Sequence, residues 1–549
     1  MLRTKVDGQQ ALWESLLPEE FRRLPPGLQA VDELLDDPVF FEPFVAHFSL
    51  LFGRPSIPIE TYLRLMHLRF RYRLGFETLC GEVADSLAWR RFCRIGPYDR
   101  VPDPSTLMKI TRRCGEDLVA KLNEALLKKA AGEHLVKLDK VRIDTTVVAA
   151  NVAYPTDSGL LARGVAKLAG NVERLKQLGL ARRTPFRNRT RSVRRRAHDI
   201  GAWLRRRSDE AKAEVLAITS ELADLAEVTI AKARSVARSA TRSLARAGAD
   251  ASGKASSLLA DIEAVAGLLE KVVAQARSRI GGDMPDGSTR IVSLHDPDAR
   301  PIAKGRLGKP VEFGYKAQVA DNADGLVLDL AVFQGNPNDA TLIVPAIARI
   351  KTLLGRAPKA VSADRGYSVP GVEAALEAVG AAKVVIPHKG RKSAQRQVIE
   401  SGRSFRRLVK WRTGSEGRIS HLKHAWGLER TLLDGTAGAA TCAAGECSPT
   451  TRRRWPPSRR DEQQHGRPPE NDGSGQRGPD HPTTDPWPSN AAAELPSLGL
   501  TRRGPARTWR GPRWEVRPKR REIGRHRAVH GALGPSSPLV RATFSGQSS

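Results

Sequence analysis

The sequence predicts a mixed α/β fold, a sheet with helices packed on it and a long helical insertion, preceded by an all-helical region and followed by a disordered tail. Three observations predict it. Apolar residues recur at helical spacing to about residue 130 and again from about 160 to 279. β-Branched, alternating stretches occur at 137–150 and between about 289 and 387. After Ala440 the aliphatics give way to Pro, Gly, Ser and Arg.

Residues 1–130 read as a helical, DNA-binding domain. PIETYLRLMHLRFRYRLGFETLCGEVADSLAWRRFC and STLMKITRRCGEDLVAKLNEALLKKA are both amphipathic. Pro102 and Pro104 around Asp103 separate them, with Ser105 placed to cap the second. Arg69, Arg71, Arg73, Arg90 and Arg91 interleave with Phe70, Tyr72 and Trp89. That mixture suits helices laid on DNA, and equally suits amphipathic helices with solvated arginines. KLDKVRIDTTVVAA (137–150) reads as a strand. The helical signal then resumes, and within it ARRTPFRNRTRSVRRRAHDIGAWLRRR (181–207) makes Arg194, Arg195 and Arg196 candidates for phosphate contact. Further on come TRIVSLHD, VEFGYKAQVA and GLVLDLAVF as strands, TLIVPAIARIKTLLG as a helix, and then KAVSADRG, VPGVEAALEAVG and KVVIP as strand, helix and strand. The helices at about 160–280 are therefore an insertion into a sheet domain spanning 131–440.

The chain has 549 residues, 40% of them hydrophobic, enough for two to four domains. Its 90 lysines and arginines against 60 acids give a formal charge of +30, which favours a polyanionic partner, nucleic acid first. Five cysteines without a CxxC pair argue against a zinc ribbon or a secreted disulfide scaffold and suit a reducing cytosol. No apolar run reaches the length of a membrane span, so a soluble, cytoplasmic protein without a membrane partner is expected.

Three acids stand where chemistry can gather. Asp144 lies in RIDTTVV on the strand face opposite Ile143, Thr145 and Val147. Asp364 ends a short apolar strand in AVSADRGY, and ligand-binding groups of open sheets collect at such strand ends. Glu416 precedes Ile419, Leu422 and Trp426 on an amphipathic helix. Three converging carboxylates could hold two hard divalent cations and open positions for phosphate and water. Asp339, in NPND, reads as a turn or cap residue. His388, Lys389, Arg391 and Lys392 read as a solvated basic loop.

These stretches resemble the DDE insertion-sequence transposases of bacteria over roughly residues 35 to 440. RIDTTVV resembles the family's first-strand motif and ADRGY its second. The third motif, Tyr-x2-Arg-x3-Glu-x6-Lys/Arg, is matched by Arg412, Glu416 and Lys423, with Val409 in place of the Tyr. The resemblance implies an RNase H-like catalytic core in which Asp144, Asp364 and Glu416 hold two Mg2+ or Mn2+ ions. It implies DNA strand cleavage at the ends of the element, followed by transfer to target DNA, with Arg412 and Lys423 on phosphates. The implied partners are the terminal inverted repeats and target DNA, bound by a homodimer in the nucleoid-associated cytoplasm. Two rival readings are a nuclease without strand transfer and a non-catalytic DNA-binding remnant.

About 15 of the 36 prolines follow Ala440, a composition that cannot bury enough apolar surface to fold. Restoring a single base near Thr441, with suitable degenerate codons, converts TCAAGECSPTTRRRWPPS into TWCGWGVLTHNAAAVAAL, an apolar helix. A frameshifted, disordered segment at 441–549, lacking a helix that would close the core, is therefore expected.

Overall fold

The computed structural model describes residues 1–6, 23–206, 208–247, 252–304 and 310–452. The N-terminal region is helical, as its periodicity predicts. Helices α1 (Pro26–Leu35), α2 (Ile59–Tyr72), α3 (Phe76–Asp85), α4 (Leu87–Phe92) and α5 (Pro104–Gly132) enclose one core that includes Phe44, Leu65, Leu68, Leu79 and Phe92. Asp103, not Ser105, caps α5, because its carboxylate accepts the Ser105 amide at 2.8 Å.

This core takes up two of the five interleaved arginines, Arg69 and Arg90, and leaves Arg71 and Arg73 exposed. Arg69 is buried, its guanidinium 4.4 Å from the Phe76 ring centroid. Arg90 is buried too, donating to the carbonyls of Gly96 and Pro97. Arg64 is fully buried against Asp32 and Asp36. Charges enclosed and paired in this way hold helices together rather than face a phosphate backbone.

Strand β1 (Val141–Ala149) opens the sheet. The insertion follows as α6 (Asp157–Gln177), α7 (Thr190–Trp203), α8 (Asp209–Ala247) and α9 (Ser252–Ile280). Their apolar stripes close on a core of their own, with Leu161, Val165, Val236 and Leu269 among its members. The chain then returns to the sheet through β2 (Arg300–Ala303), β3 (Val311–Asn322), β4 (Val327–Gln334), α10 (Asp339–Leu354), β5 (Ala360–Ser362), α11 (Val372–Val379) and β6 (Lys383–Val385). TRIVSLHD is not a strand. The backbone of Ile291 bonds instead to the Gln275 side chain, which both accepts its N–H and donates to its carbonyl.

The sheet order is β2-β3-β1-β5-β6, with β4 also on β3. β1 runs antiparallel to β3 and parallel to β5, and β5 runs parallel to β6. This is the RNase H-like arrangement: an antiparallel meander joined through its first strand to a parallel pair. Helix α10 covers the Ile143 face, and α12 (Ala394–Ser401) and α13 (Arg403–Trp426) follow β6.

The last described element, α14 (Gly435–Arg452), runs through Thr441 without a break. Ala439, Cys442, Ala443 and Cys447 are buried on it. The change of composition at Ala440 therefore falls inside a helix, and the rest of the expected tail lies outside the described residues. Among the described residues no helix is long and apolar enough to cross a membrane, and all five cysteines are buried thiols.

Candidate active site

The site starts from strand register. β1 and β5 pair in parallel, Val141 with Val361 and Arg142 with Ser362. Asp144 stands two residues further along β1, and Asp364 two residues past Ser362, just beyond the end of β5. Adjacent strands lie about 4.8 Å apart, so this common offset from a paired position brings the two acids near one another. Their proximity has an electrostatic signature. Burial pushes the Asp144 carboxyl up and Asp364 adds to that, while Ser415, the Thr145 amide and Arg412 pull it back.

Asp144 is firmly oriented. One carboxylate oxygen accepts the Thr145 amide at 2.9 Å, and the other accepts the Ser415 hydroxyl at 2.8 Å. Arg412 lies 3.8 Å from the second oxygen. Asp364 is exposed and caps the 3-10 turn Arg365–Tyr367, accepting the Gly366 amide at 3.2 Å. It thus faces outward at the strand end, where the sequence predicts it.

Helix α13 lies over the face of β1 that carries Asp144. Arg412, Glu416, Ile419 and Lys423 fall on one stripe by helical spacing. Glu416 is exposed and, among the described residues, has no hydrogen-bond or ion-pair partner. Ser415, which sequence reasoning overlooked, makes the direct contact to Asp144 from this helix. The Lys423 ammonium donates to the Val147 carbonyl at 2.8 Å, tying α13 to β1. Val409, at the position of the motif's Tyr, packs against the Ala360, Val385, Phe405 and Leu408 cluster. A further strut is the buried pair of Arg142 and Asp321, joined by two hydrogen bonds of 2.9 and 2.8 Å, with Arg142 also donating to the Trp411 carbonyl of α13.

Asp339 is not the cap of α10, since the Asn338 side chain holds the Ala340 amide. As the first residue of α10 it meets Lys316 and Thr145 on the opposite face of the sheet. Lys392 of the basic loop is spent on Glu400, 2.6 Å away, and the His388 amide donates to the same carboxylate. Arg196 is paired with Glu221 at 2.8 Å, whereas Arg194 and Arg195 point outward from α7. Among the described residues no three His, Cys, Asp or Glu side chains stand close enough to form a metal site.

Two family models match the chain. A Transposase domain (DUF772) covers residues 18–113, and a Transposase DDE domain covers residues 287–454. Asp364 and Glu416 fall inside the second match, and Asp144 lies between the two. No curated protein and no solved structure matches.

Proposed function

We propose that the chain is an insertion-sequence DDE transposase, the reading that its two transposase family matches support, and that it cleaves DNA at the ends of its element and joins the freed 3′ hydroxyl to target DNA. The observation that carries the proposal is the proximity of Asp144 on β1 and Asp364 just past the parallel strand β5, with α13 bonded to Asp144 through Ser415. The two aspartates are oxygen donors of the kind hard cations take and lie within electrostatic reach of each other, whereas Glu416, an open carboxylate on α13, does not stand in one cluster with them in this structure. Asp144, Asp364 and Glu416 would hold two Mg2+ or Mn2+ ions, which when bound stabilise the attacking and leaving oxygens of an in-line phosphoryl displacement.

The chain's own groups do the positioning. Ser415 and the Thr145 amide fix the Asp144 carboxylate, leaving its remaining lone pairs toward the cleft. Arg412 supplies positive charge beside it for the scissile phosphate, and Lys423 keeps the Glu416 stripe over β1. Arg194 and Arg195 contact the DNA backbone away from the reaction centre. The protein acts on terminal inverted repeats and target DNA as a homodimer in the reducing, nucleoid-associated cytoplasm. By domain, 1–130 carries DNA contacts and 131–440 the chemistry.

The test uses a plasmid carrying this reading frame with its native flanks, incubated with the purified chain and Mg2+ or Mn2+. Cleaved ends and joined products are expected, and Asp144→Asn or Asp364→Asn should abolish both. Cleavage without joined product indicates a nuclease instead.

Helix α14 favours a second reading, a DNA-binding remnant whose catalysis was lost by a frame change near Thr441. Its Glu446 carboxyl is buried without an ion-pair partner among the described residues, a costly choice for a helix selected to close this core. Sequencing the gene and its flanks decides this. A single-base deletion near Thr441, with the apolar helix in the other frame, is the expected result for a remnant.

A further inference from the structure

We propose that Asp339 is a positioning residue of the reaction centre: held by Lys316, it fixes Thr145 beside Asp144 and abuts the turn that carries Asp364. The inference rests on the reading of Asp144 and Asp364 as the metal-holding pair, and concerns what sets their spacing.

Lys316 is buried on β3. Its ammonium bonds the Asn336 side chain at 3.0 Å, the Pro337 carbonyl at 2.7 Å and Asp339 at 2.5 Å. Three donors meet three acceptors, so the loop before α10 is pinned to the sheet with no donor left over. The same Asp339 oxygen accepts the Thr145 hydroxyl at 3.1 Å. Thr145 is the residue whose amide holds Asp144, and its side chain points to the opposite face of the strand. The second Asp339 oxygen faces Gly366, whose Cβ, if it had one, would lie 4.0 Å away. Gly366 in turn donates its amide to Asp364.

One carboxylate therefore bonds the residue next to Asp144 and lies beside Gly366, two residues past Asp364, from the other side of the sheet. Placed on the face away from the Asp144 carboxylate, it acts on that acid through the backbone of Thr145. Tyr367 and Gln318 are fully buried alongside, while the Asp339 side chain keeps about 30% exposure at the edge of the cluster.

The test compares Asp339→Asn, Thr145→Val and Thr145→Ser with the unaltered full-length chain and with Asp144→Asn. It reads Mn2+ affinity by calorimetry, thermal stability, and cleavage of the plasmid carrying the native flanks. Asp339→Asn and Thr145→Val should weaken Mn2+ binding by about tenfold or more, and Thr145→Ser, which keeps the hydroxyl, should restore it. Cleavage should fall in rate with little change in the DNA concentration needed. Because Asp339→Asn leaves Lys316 without its counter-charge and can cost folding, Thr145→Val is the decisive variant. Mn2+ affinity unchanged in a folded Thr145→Val overturns the role of Asp339 while leaving the acids' role intact, provided Asp144→Asn loses the ion. If the unaltered chain and Asp144→Asn behave alike toward Mn2+, the reading of the acids fails and this inference with it.

Discussion

At Glu446, burial makes stability depend on pH in the direction opposite to most carboxylates. Desolvation pushes this carboxyl from an ordinary 4.5 up to about 7, against the pull of a Cys442 hydrogen bond and of Arg69 and Arg73. The folded state therefore binds a proton more tightly than the unfolded chain. Stability from this group is full below about pH 4.5 and is lost as pH rises through 7, a difference of about 3 kcal/mol. Urea unfolding at pH 5 and pH 8 should show most of that loss, and Glu446→Gln should flatten the slope and raise stability at pH 8. An unchanged slope in Glu446→Gln would mean that the carboxyl is ionised and solvated in the fold. Not every such residue was legible in the sequence. The positions of Asp144 on a strand and Asp364 at a strand end were, because alternation and a strand end place an acid without any knowledge of its partners. Ser415, Lys316 and the Arg142–Asp321 pair were not, since each acquires its role from a residue more than 20 positions away.

At the scale of elements, β1, the strand that carries Asp144, depends on how closely β3 approaches it. Gly314 pairs with Ala149 at the end of β1, and a Cβ there would overlap the Val148 carbonyl and the Ala149 backbone. Backbone cannot yield as a side chain can, so Gly314→Ala should lower stability by about 1–3 kcal/mol. Calorimetric melting measures it, and a melting temperature equal to that of the unaltered chain would show that the strands have room to part. The helices and the paired strands were readable from periodicity because burial of one face imposes it. TRIVSLHD was misread as a strand for a physical reason: its apolar residues are buried, but Gln275 replaces the neighbouring strand as hydrogen-bond partner. The change at Ala440 likewise marks composition and not an element end, because α14 carries enough alanine and cysteine past it to pack on α5 and β4.

For the whole molecule, a formal charge of +30 matters for DNA only through the part of it that remains exposed. Several cations are not free to meet a phosphate: Arg64, Arg69, Arg90 and Arg142 are buried, and Arg234 and Arg277 of the insertion are paired with Glu263, Glu270, Asp224 and Glu227. On α7, Arg196 is likewise held by Glu221, while Arg194 is exposed and Arg195 has only a 4.0 Å contact to Asp199. Exposed cations that neutralise phosphates release counterions, each contributing about −0.9 to the slope of log K against log salt. Replacing Arg194 and Arg195 together by alanine should therefore make that slope shallower by roughly 2, measured by fluorescence anisotropy on a random duplex between roughly 50 and 200 mM salt. Arg196→Ala should leave the slope nearly unchanged and instead loosen the contact between α7 and α8. Equal slopes for the double variant and the unaltered chain would remove the insertion from the DNA path and leave the N-terminal helices and the α13 stripe as the remaining candidates.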